Sequence, residues 1–393
     1  QDEIKEVVQY ASERNITAVI KNNDVKKALN TLHEKFFEKN VKQINLFIIG
    51  IGNVGSKLID QIEKQTDYLT KKLKLKLRVI AISNSKKMLF DESGLTLSNL
   101  KEDIDNGENS NLDEFFKKIN KLNLRNSVFI DNTASSKIAG LYQNFLKNNI
   151  SVVTCNKIAC SDSYSSYIEL KKLASKYDTS FLYETNVGAG LPIIDTLNNL
   201  INSGDKINSI QAVLSGSLNY IFNNFNNSNT FEDVVKEAMD KGFTEPDPKI
   251  DLSGIDVARK ILILARESGN KIELNDITNK SFLPKESLNT KDNKEFLKSL
   301  SENKDHFETI LNDAYIKDCK IKYVAEYKNG KASVGIKNIP KDHDFYNLEG
   351  SDNIVLFYTD RYKQQPLIVK GAGAGADVTA AGIFADIIRT SKR

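Results

Sequence analysis

The sequence predicts an α/β protein in which a doubly wound parallel sheet is joined to an α+β region with a mostly antiparallel sheet. Three observations lead to this prediction. Apolar runs of strand length alternate with helical stretches between residues 43 and 185, as in parallel sheets. Strand-like runs then follow one another between residues 186 and 364, as in antiparallel sheets: INSIQAVLSGS, IKYVAEY, KASVGIK and NIVLFYT. The chain has 393 residues, which suffices for two or three domains with substantial cores.

The first element of the parallel sheet is the run QINLFIIGIGNVGSKLIDQIEK, which predicts a strand, a glycine turn and a helix. The apolar stretch 44–51 is too short to span a bilayer and too apolar for a solvent-facing strand, so it predicts a central strand. Gly50 would allow the tight turn, Gly52 the close approach of a pyrophosphate, and Gly55 the packing of helix on strand. The pattern indicates a Rossmann-type dinucleotide site, and a glycine turn without a ligand is the alternative. The cofactor-binding residues predicted here are Gly50, Ile51, Gly52, Asn53, Val54 and Gly55.

The second strand, LRVIAISNSKK, should end beside the adenosine ribose, where NAD-specific enzymes commonly place an acid. No acid stands there, because the tip carries Ser83, Asn84, Ser85 and Lys86. Hydroxyls and a cation suit a 2′-phosphate, so NADP is expected as the cofactor, with NAD as the alternative. Lys86 and Lys87 are each as readily interpreted as solvated loop charges.

Two further strands are predicted in VFIDNTAS and ISVVTCNK, with a helical stretch from Lys137 to Asn148 between them. The carboxyl ends of parallel strands form the ligand crevice of an open sheet. We therefore expect Thr133 and Ala134 to approach the cofactor. Asn156 and Lys157 should approach the reacting end, and an ordinary loop lysine is the alternative for Lys157.

The segment AMDKGFTEPDPKIDLSGIDVARK, residues 238–260, has the composition of an active site, with several acids near a turn that leads into a helix. Pro246 and Pro248 forbid a continuous helix there, because proline lacks the backbone donor and restricts the preceding residue. We therefore expect Glu245, Asp247 and Asp251 on a fixed irregular segment.

A helix is expected to restart near Ser253, because apolar residues recur at helical spacing in SGIDVARKILILARES. This helix would place Asp256 and Lys260 one turn apart on one face. An ordinary surface ion pair, which stabilises by roughly 0.2–0.5 kcal/mol, is the alternative.

These motifs together resemble homoserine dehydrogenase, and in particular the dehydrogenase portion of bifunctional aspartokinase–homoserine dehydrogenase. The resemblance runs from about residue 44 to the end of the sequence. It rests on GIGNVG, AISNSK, TCNK, FLYETNVGAGLP, LSGSLNYIF, the 238–260 segment and GAGAGADVTAAGIFADIIR. It implies the NAD(P)-dependent interconversion of L-aspartate 4-semialdehyde and L-homoserine, a step of threonine and methionine biosynthesis.

The resemblance also implies roles for the polar residues. The reaction creates an alkoxide that needs a proton, and a lysine can supply one when burial lowers its pKa. Lys260 is the implied proton donor and acceptor. Lys157 would hold the substrate and the nicotinamide end, and is the second candidate for proton transfer. Glu245 would bind the substrate ammonium, while Asp251 and Asp256 would orient the lysines and the substrate.

The segment FLYETNVGAGLP predicts a strand that ends in a glycine-rich turn, and a simple domain crossover is its alternative. By resemblance, Glu184 and the carbonyls of Val187, Ala189 and Leu191 would bind a monovalent cation, expected to be sodium. The later GAGAG run, residues 371–375, predicts a helix start near the cofactor, with Gly373 and Gly375 as cofactor-binding residues, and a simple turn is the alternative.

The domain division expected from these motifs has four parts. Residues 1–42 would be a linker and the remnant of an ACT-type regulatory module, because ITAVIKNNDVKKALNTLHEKFF resembles its last strand and helix. Residues 43–185 would bind the dinucleotide, 186–364 would bind substrate and form a homodimer, and 365–393 would return to the dinucleotide-binding domain. The resemblance implies aspartokinase and regulatory domains in the same full-length chain, and leaves threonine feedback open.

Composition narrows the classes of function. The 55 basic and 52 acidic residues give a net charge of +3, so neither nucleic acid nor a membrane surface is expected as a partner. A cytoplasmic location is expected, or a plastid if the full-length chain carries a transit peptide. Neither zinc nor histidine chemistry is expected, because the three histidines and three cysteines have no ligand spacing: His33, His306, His343, Cys155, Cys160 and Cys319.

Two alternative functions remain at this point. Cys155, at a strand end near the expected nicotinamide, could be the nucleophile of an acylating aldehyde dehydrogenase, although a buried cysteine is the usual interpretation. The chain could also be a non-catalytic dinucleotide-binding subunit. The first alternative predicts that Cys155→Ser abolishes turnover, whereas a homoserine dehydrogenase should instead lose turnover with Lys260→Ala.

Overall fold

The computed structural model describes residues 6–9, 16–36 and 41–392. The chain divides into two compact units. The first unit comprises residues 1–159, 168–183 and 383–393, and the second comprises 160–167 and 184–382. The expected division at 185/186 lies close to one of these boundaries, whereas the assignment of 160–167 to the second unit has no counterpart in it.

The first unit begins with a small antiparallel pair, β1 (Glu6–Gln9) and β2 (Ile16–Val19), followed by helix α1 (Val25–Phe36). The strand and helix expected over 16–37 are therefore present, although Phe37 lies outside the described residues. Residues 1–5, 10–15 and 37–40 of the expected regulatory remnant also lie outside them. The origin of this segment in an ACT-type module stays a prediction.

A seven-stranded sheet forms the centre of the first unit, in the order β6-β5-β4-β3-β7-β8-β9. Strands β4, β3, β7, β8 and β9 are parallel, while β5 and β6 pair antiparallel at one edge. The strands are β3 (Lys42–Ile49), β4 (Leu75–Ser83), β5 (Lys87–Phe90), β6 (Glu108–Asn109), β7 (Ser127–Asp131), β8 (Ser151–Thr154) and β9 (Phe181–Leu182). The predicted doubly wound parallel sheet is confirmed.

The topology places a ligand crevice at β3. The chain passes from β3 to β4 on one side and later returns to β7 on the other side of β3. Open α/β sheets bind ligands at the carboxyl ends of the strands where the order reverses in this way. The run from Ile44 to Ile49 is buried throughout, as expected of a central strand.

The helices of the first unit lie mostly between consecutive strands of its sheet. They are α2 (Asn53–Tyr68), α3 (Leu100–Asp103), α4 (Leu112–Leu122), α5 (Ser136–Ala139) and α6 (Tyr142–Lys147), and α7 (Ile158–Ser161) and α8 (Tyr164–Lys176) each span a boundary between units. The stretch predicted as one helix from Lys137 to Asn148 is thus two short helices, α5 and α6. A π-helical turn, Leu69–Leu73, extends α2.

The second unit is built on a six-stranded sheet in the order β11-β13-β12-β10-β14-β15. Only the β11–β13 pair is parallel, so the predicted mostly antiparallel sheet is confirmed. Its strands are β10 (Ile207–Val213), β11 (Thr278–Lys280), β12 (Lys320–Lys328), β13 (Lys331–Ile339), β14 (Asp352–Thr359) and β15 (Leu367–Ala372). β15 belongs to this sheet, although the prediction assigned residues 365–393 to the dinucleotide-binding domain.

The helices of the second unit include α13, whose sequence predicted an active site. They are α9 (Ile193–Asn202), α10 (Gly216–Asn224), α11 (Phe231–Asp240), α12 (Pro248–Leu252), α13 (Ile255–Glu267), α14 (Lys285–Leu288), α15 (Asn293–Glu302) and α16 (Lys304–Ile316), and α17 (Ala376–Thr390) spans the last boundary between units. Within the described ranges, no helix is both long and apolar enough to cross a membrane.

Candidate functional site

The glycine turn after β3 is shaped by close backbone contacts. Gly50 has a φ of +88°, and a side chain there would lie 2.8 Å from Cγ2 of Thr133. A Cβ on Gly55 would lie 2.0 Å from the Gly50 carbonyl oxygen, so α2 packs directly on the turn. Both positions therefore require glycine, as the motif predicted.

Gly52 differs from these two glycines because nothing surrounds it. A Cβ there would meet no heavy atom within 4 Å, and Gly52 forms the amino cap of α2 without a side-chain hydrogen bond. Gly52 and Asn53 are exposed, Ile51 and Val54 are partly buried, and the first N–H groups of a helix have no acceptor within the helix. Open N–H groups at a helix start suit a phosphate, so the residues present fit the expected pyrophosphate.

Asn132 is a candidate contact that the sequence analysis missed. It follows β7 directly, and its carbonyl group would lie 2.9 Å from a Cβ on Gly50. Both polar atoms of its side chain are buried and have no hydrogen-bond partner. Because an orphaned buried amide is costly, a ligand at the switch point of the sheet would give it the missing partners. The motif VFIDNTAS contained this residue, but an asparagine at a strand end carries no specific signal.

At the tip of β4, two of the four residues expected beside the ribose make hydrogen bonds within the turn. Ser83 is only 3% exposed, and its hydroxyl donates to the carbonyls of Asn84 and Lys87 at 3.2 Å. The Asn84 side chain accepts the N–H groups of Lys86 and Lys87 at 2.8 and 2.7 Å. Ser83 and Asn84 thus close the β4–β5 turn, which leaves the exposed Ser85 and Lys86 as the better candidates for a 2′-phosphate.

The loops after β7 and β8 carry the remaining candidates of the first unit. The Thr133 N–H donates to Oδ1 of Asp131 at 2.8 Å, and the Thr133 hydroxyl accepts the Ser135 N–H at 3.1 Å. Ala134 is exposed and Lys157 is partly buried. The cofactor and substrate roles of these residues remain predictions.

Cys155 lies beside Lys157, and its chemistry is that of a structural cysteine. Burial, followed by the negative charge of Asp131, raises the pKa of the Cys155 thiol to about 11. Lys157 lowers that pKa, but less strongly. The thiol is therefore protonated at neutral pH, which is unfavourable for a catalytic nucleophile.

In the second unit, Gly254 is the amino cap of helix α13, and only glycine fits there. Gly254 has a φ of +71°, and a Cβ there would lie 1.8 Å from the hydroxyl of the buried Tyr323. The helix start is thus fixed against β12. Asp256 and Lys260 follow one turn apart on this fixed helix.

Lys260 is buried, with 8% exposure, and its amine has two partners of different kinds. Nζ lies 2.8 Å from Oδ2 of Asp256 and donates to the carbonyl oxygen of Leu214 at 2.6 Å. The pair is therefore not an ordinary surface ion pair. Leu214 lies between β10 and α10, in the motif LSGSLNYIF, where the sequence predicted no site residue.

Asp251 connects the acidic segment, residues 245–251, to α10 by hydrogen bonds. Its Oδ1 accepts the Ser217 hydroxyl at 2.9 Å, and its Oδ2 accepts the Glu245 N–H at 2.8 Å. Burial raises the pKa of Asp251, and the charge of Asp256 adds to the rise, against the effect of these hydrogen bonds. Glu245 itself is exposed, with its backbone fixed by Asp251.

The irregular segment expected at Glu245, Asp247 and Asp251 is present at Glu245 and Asp247, and the expectation is wrong for Asp251 alone. Pro248 begins the short helix α12, in which Asp251 lies, and the side chain of Asp247 accepts the Lys249 N–H at 3.0 Å as the amino cap. Proline at the first helical position loses no hydrogen bond, and its fixed φ suits the helix. Pro248 therefore starts a helix that it was expected to prevent.

Glu184, the expected cation ligand, accepts hydrogen bonds from the backbone. It is 4% exposed, and its two carboxylate oxygens accept the N–H groups of Ile194 and Asp195 at 2.7 and 2.9 Å. It thus stabilises the start of α9. Val187 and Ala189 are also buried, and Ala189 has a φ of +51°.

The Leu191 carbonyl, another expected cation ligand, accepts the Ile193 N–H at 2.8 Å. In the part of the chain that the structure describes, no group of three or more histidine, cysteine, aspartate or glutamate residues could hold a metal ion. A cation site at Glu184 would therefore depend on backbone carbonyls, and it remains a proposal.

Gly373 and Gly375 lie in the second unit, directly before α17. A Cβ on Gly373 would lie 2.0 Å from Cγ of Asn353, so the backbone covers the fully buried Asn353 side chain. Gly375 has a φ of +121°, and α17 starts at the next residue. The helix start is as predicted, whereas a role in cofactor binding remains a prediction.

Comparison with known proteins finds a family match in each of the two units. The family model for homoserine dehydrogenase matches residues 192–388, and the model for the NAD-binding domain of homoserine dehydrogenase matches residues 50–184. The homoserine dehydrogenase of Schizosaccharomyces pombe is 36% identical over 357 residues, which cover 88% of this chain and 95% of the yeast protein. The chain belongs to the homoserine dehydrogenase family. The suspected resemblance is thereby confirmed.

Relatives of the bifunctional kind match even more of the chain. The bifunctional aspartokinase/homoserine dehydrogenase of Haemophilus influenzae is 42% identical over 98% of this chain and 47% of its own length. A chloroplastic bifunctional aspartokinase/homoserine dehydrogenase of Arabidopsis thaliana is 43% identical over 98% of this chain and 43% of its own length. The chain thus spans less than half of these bifunctional relatives.

Solved structures show the same fold. A Candida auris protein of unknown function is 36% identical, with a TM-score of 0.82 over 90% of this chain and 99% of its own. A hyperthermophilic archaeal homoserine dehydrogenase mutant, determined in complex with NADPH, is 26% identical, with a TM-score of 0.70 over 89% of this chain and 98% of its own. The α/β fold of homoserine dehydrogenases is therefore shared by this chain.

Proposed function

We propose that the chain catalyses the NAD(P)-dependent interconversion of L-aspartate 4-semialdehyde and L-homoserine. The observation that carries the proposal is the placement of Lys260. Its amine is buried on α13, bound to the Asp256 carboxylate and the Leu214 carbonyl. A buried amine held in this way can give a proton to a substrate oxygen and take it back.

The nicotinamide cofactor, when bound, supplies or accepts the hydride. Lys260 donates the proton that the carbonyl oxygen needs as it becomes a hydroxyl, and accepts the proton in the reverse direction. Asp256 keeps the amine oriented and balances its charge. Lys157 is proposed to bind the substrate oxygen or carboxylate by ionic attraction.

The acidic segment is proposed to bind the ammonium group of the substrate. Asp251 fixes the backbone of Glu245 by accepting its N–H, which holds the exposed Glu245 side chain near a defined position. The carboxylate of Glu245 is therefore the proposed ammonium partner. Because both carboxylate oxygens of Asp251 already accept hydrogen bonds, from Ser217 and from the Glu245 N–H, that residue serves better as an anchor than as a second ligand of the ammonium group.

Finer features of the function are also proposals. NADP is favoured because the tip of β4 carries the exposed Ser85 and Lys86. An acid at this position would repel a 2′-phosphate, whereas a hydroxyl and a cation can bind one. We further propose a sodium ion bound by Glu184 and the neighbouring carbonyls, a homodimer formed through the second unit, and a cytoplasmic or plastid location. The bifunctional relatives support aspartokinase and regulatory domains in the same full-length chain.

The test follows NADPH absorbance with aspartate semialdehyde, and NADP reduction with homoserine. The wild type should turn over in both directions, and Lys260→Ala should lower kcat by about 10²–10⁴-fold. Lys241→Ala is the matched control, because Lys241 also pairs with an acid one turn away, Glu237, but on an exposed surface. No turnover by the wild type with either cofactor would reject the proposal.

The cation proposal has its own test. Thermal unfolding is compared in sodium and choline chloride at equal ionic strength, for the wild type and for Glu184→Gln. A bound ion stabilises the folded state, so sodium should raise the melting temperature of the wild type. The same melting temperature in both salts would contradict the site.

A further inference from the structure

The carboxylate of Asp131 is a fully buried group to which the proposed reaction assigns no role. Asp131 is the last residue of β7 and is 0% exposed. Its Oδ1 accepts the Thr133 N–H at 2.8 Å, and its Oδ2 accepts the Tyr142 hydroxyl at 2.6 Å and Nδ2 of Asn156 at 3.0 Å. Three donors from three segments of the first unit therefore meet on one carboxylate.

The backbone of Asp131 contributes to the same set of contacts. Its carbonyl oxygen accepts the Thr154 hydroxyl at 3.1 Å and the Cys155 N–H at 3.2 Å. Thr154 also lies 2.8 Å from the Tyr142 hydroxyl. We call Asp131, Tyr142, Thr154 and Asn156 the Asp131 network.

Asn156 extends the network to both sides of Lys157. Its Nδ2 also donates to the Ser135 carbonyl at 3.0 Å, and its Oδ1 accepts the Ile158 N–H at 3.1 Å. Its own N–H donates to the Thr154 hydroxyl at 2.9 Å. The residues before and after Lys157 are therefore both anchored, which fixes the backbone from which the lysine extends.

The network also holds the loop that follows β7. Asp131 binds the N–H of Thr133, and Asn156 binds the carbonyl of Ser135, so two points of that loop are fixed. A buried carboxylate is unfavourable unless all its acceptor sites are used, and an apolar residue could fill the same volume without that requirement. The presence of the Asp131 carboxylate at the carboxyl end of the sheet therefore indicates that it positions the neighbouring loops.

We propose that Asp131 is a positioning residue that fixes the Thr133 loop and the Lys157 loop relative to one another. The inference rests on the proposed function, because that function supplies the roles of Thr133 at the cofactor and Lys157 at the substrate. It adds that the two loops are set by one carboxylate, so that cofactor binding and the placement of Lys157 change together.

The principal test is Asp131→Asn, which keeps the size of the side chain but presents an NH₂ group to donors that need an acceptor. Affinity for NADPH is measured directly by isothermal titration, and kcat and KM are measured in the homoserine assay. Loss of one buried acceptor should weaken NADPH binding about tenfold, and displacement of Lys157 should lower kcat by about tenfold or more. Tyr142→Phe, which removes a single donor at almost the same volume, should shift both quantities in the same direction by a smaller factor.

Asn45→Ala is the control for instability alone. Asn45 is a buried polar residue of the same sheet, 1% exposed, whose amide donates to the Arg125 carbonyl at the amino end of the strands. Its loss should lower the melting temperature but leave NADPH affinity and kcat unchanged. A purely structural role for Asp131 would make the two variants alike.

A double-mutant cycle tests the coupling to Lys157. In the Lys157→Ala background, Asp131→Asn should still weaken NADPH binding but should lower kcat by less than twofold, because no lysine remains to be displaced. The reciprocal exchange Asp131→Asn with Asn156→Asp should recover part of the affinity, since it restores an amide-to-carboxylate bond between the two loops.

The outcomes separate this inference from the proposed function. If the wild type binds NADPH but does not turn over homoserine, the proposed reaction fails, while the binding measurements still test the link from Asp131 to the Thr133 loop. If the wild type turns over and Asp131→Asn keeps both its NADPH affinity and its kcat, the inference is overturned. Additive effects on kcat in the cycle would also overturn it.

Discussion

Replacing Gly254 by alanine should destabilise the second unit and impair turnover, because this glycine fixes the start of α13. The residue has a φ of +71°, in the left-handed region where a non-glycine residue costs about 1–2 kcal/mol. A Cβ there would also lie 1.8 Å from the Tyr323 hydroxyl and 2.6 Å from its Cζ. Tyr323 is 1% exposed and donates to Asn279 at 3.2 Å, so its ring has little room to move.

The overpacking adds to the backbone strain. Forcing extra volume into a packed core typically costs about 1–3 kcal/mol, so the loss for Gly254→Ala should be about 2–5 kcal/mol in total. Gly242→Ala is the matched control: its φ is also +71°, but no heavy atom lies within 4 Å of the added Cβ. That variant should lose only the strain, about 1–2 kcal/mol.

Urea denaturation followed by far-UV circular dichroism measures both losses, since the chain contains no tryptophan for fluorescence. Gly254→Ala should also lower kcat, because α13 carries Asp256 and Lys260, and a displacement of about 1 Å can cost roughly 100-fold. Gly242→Ala should keep its kcat. An equal loss of stability in the two variants, or an unchanged kcat in Gly254→Ala, would refute the argument from the Tyr323 contact.

Three further predictions concern single side chains. Burial lowers the pKa of Lys322 from 10.5 to about 8, so between those pH values the unfolded chain binds more protons than the folded one and stability should rise with pH. In urea unfolding, Lys322→Met should remove that rise. The same dependence of the unfolding free energy on pH in the wild type and the variant would disprove this prediction. Cys155→Ser should keep most homoserine turnover, because a thiol with a pKa of about 11 is protonated at neutral pH, and its abolition would instead support the acylating alternative. Asn132→Leu should leave the stability of the free protein equal or higher, because the side-chain amide has no hydrogen-bond partner in the protein itself. The same variant should bind NADPH about tenfold more weakly, and an unchanged affinity in titration calorimetry would exclude the contact.

The parts of the site predicted from the sequence are those set by local backbone geometry. The glycine turn was predictable because Gly50 has a φ of +88° and Gly55 packs against the Gly50 carbonyl, and both requirements arise within the strand, the turn and the following helix. The pairing of Asp256 with Lys260 followed from helical spacing alone. Both features involve residues a few positions apart, so the pattern of residue types is enough.

The parts that sequence reasoning missed depend on contacts between distant segments or on the direction of a side chain. Leu214 reaches Lys260 across 46 residues, and Ser217 reaches Asp251 across 34, and no spacing reveals either contact. The Asn84 side chain accepts N–H groups of its own turn, and the direction of this side chain is not visible in the sequence. Pro248 was taken as a helix breaker, although proline is equally suited to a first helical turn.

The division of the chain into interleaved segments affects how the molecule can be made and taken apart. The chain crosses between the units after residues 159, 167, 183 and 382, so no single cut separates them. The amine of Lys42, at the start of the central sheet, binds the Ser391 carbonyl at 2.7 Å, a partner 349 positions later. A ribosome must therefore synthesise the whole second unit before the first unit can form this contact. Neither unit is one continuous stretch of chain, and a shortened chain that ends before residue 383 would lack the last segment of the first unit and the partner of Lys42.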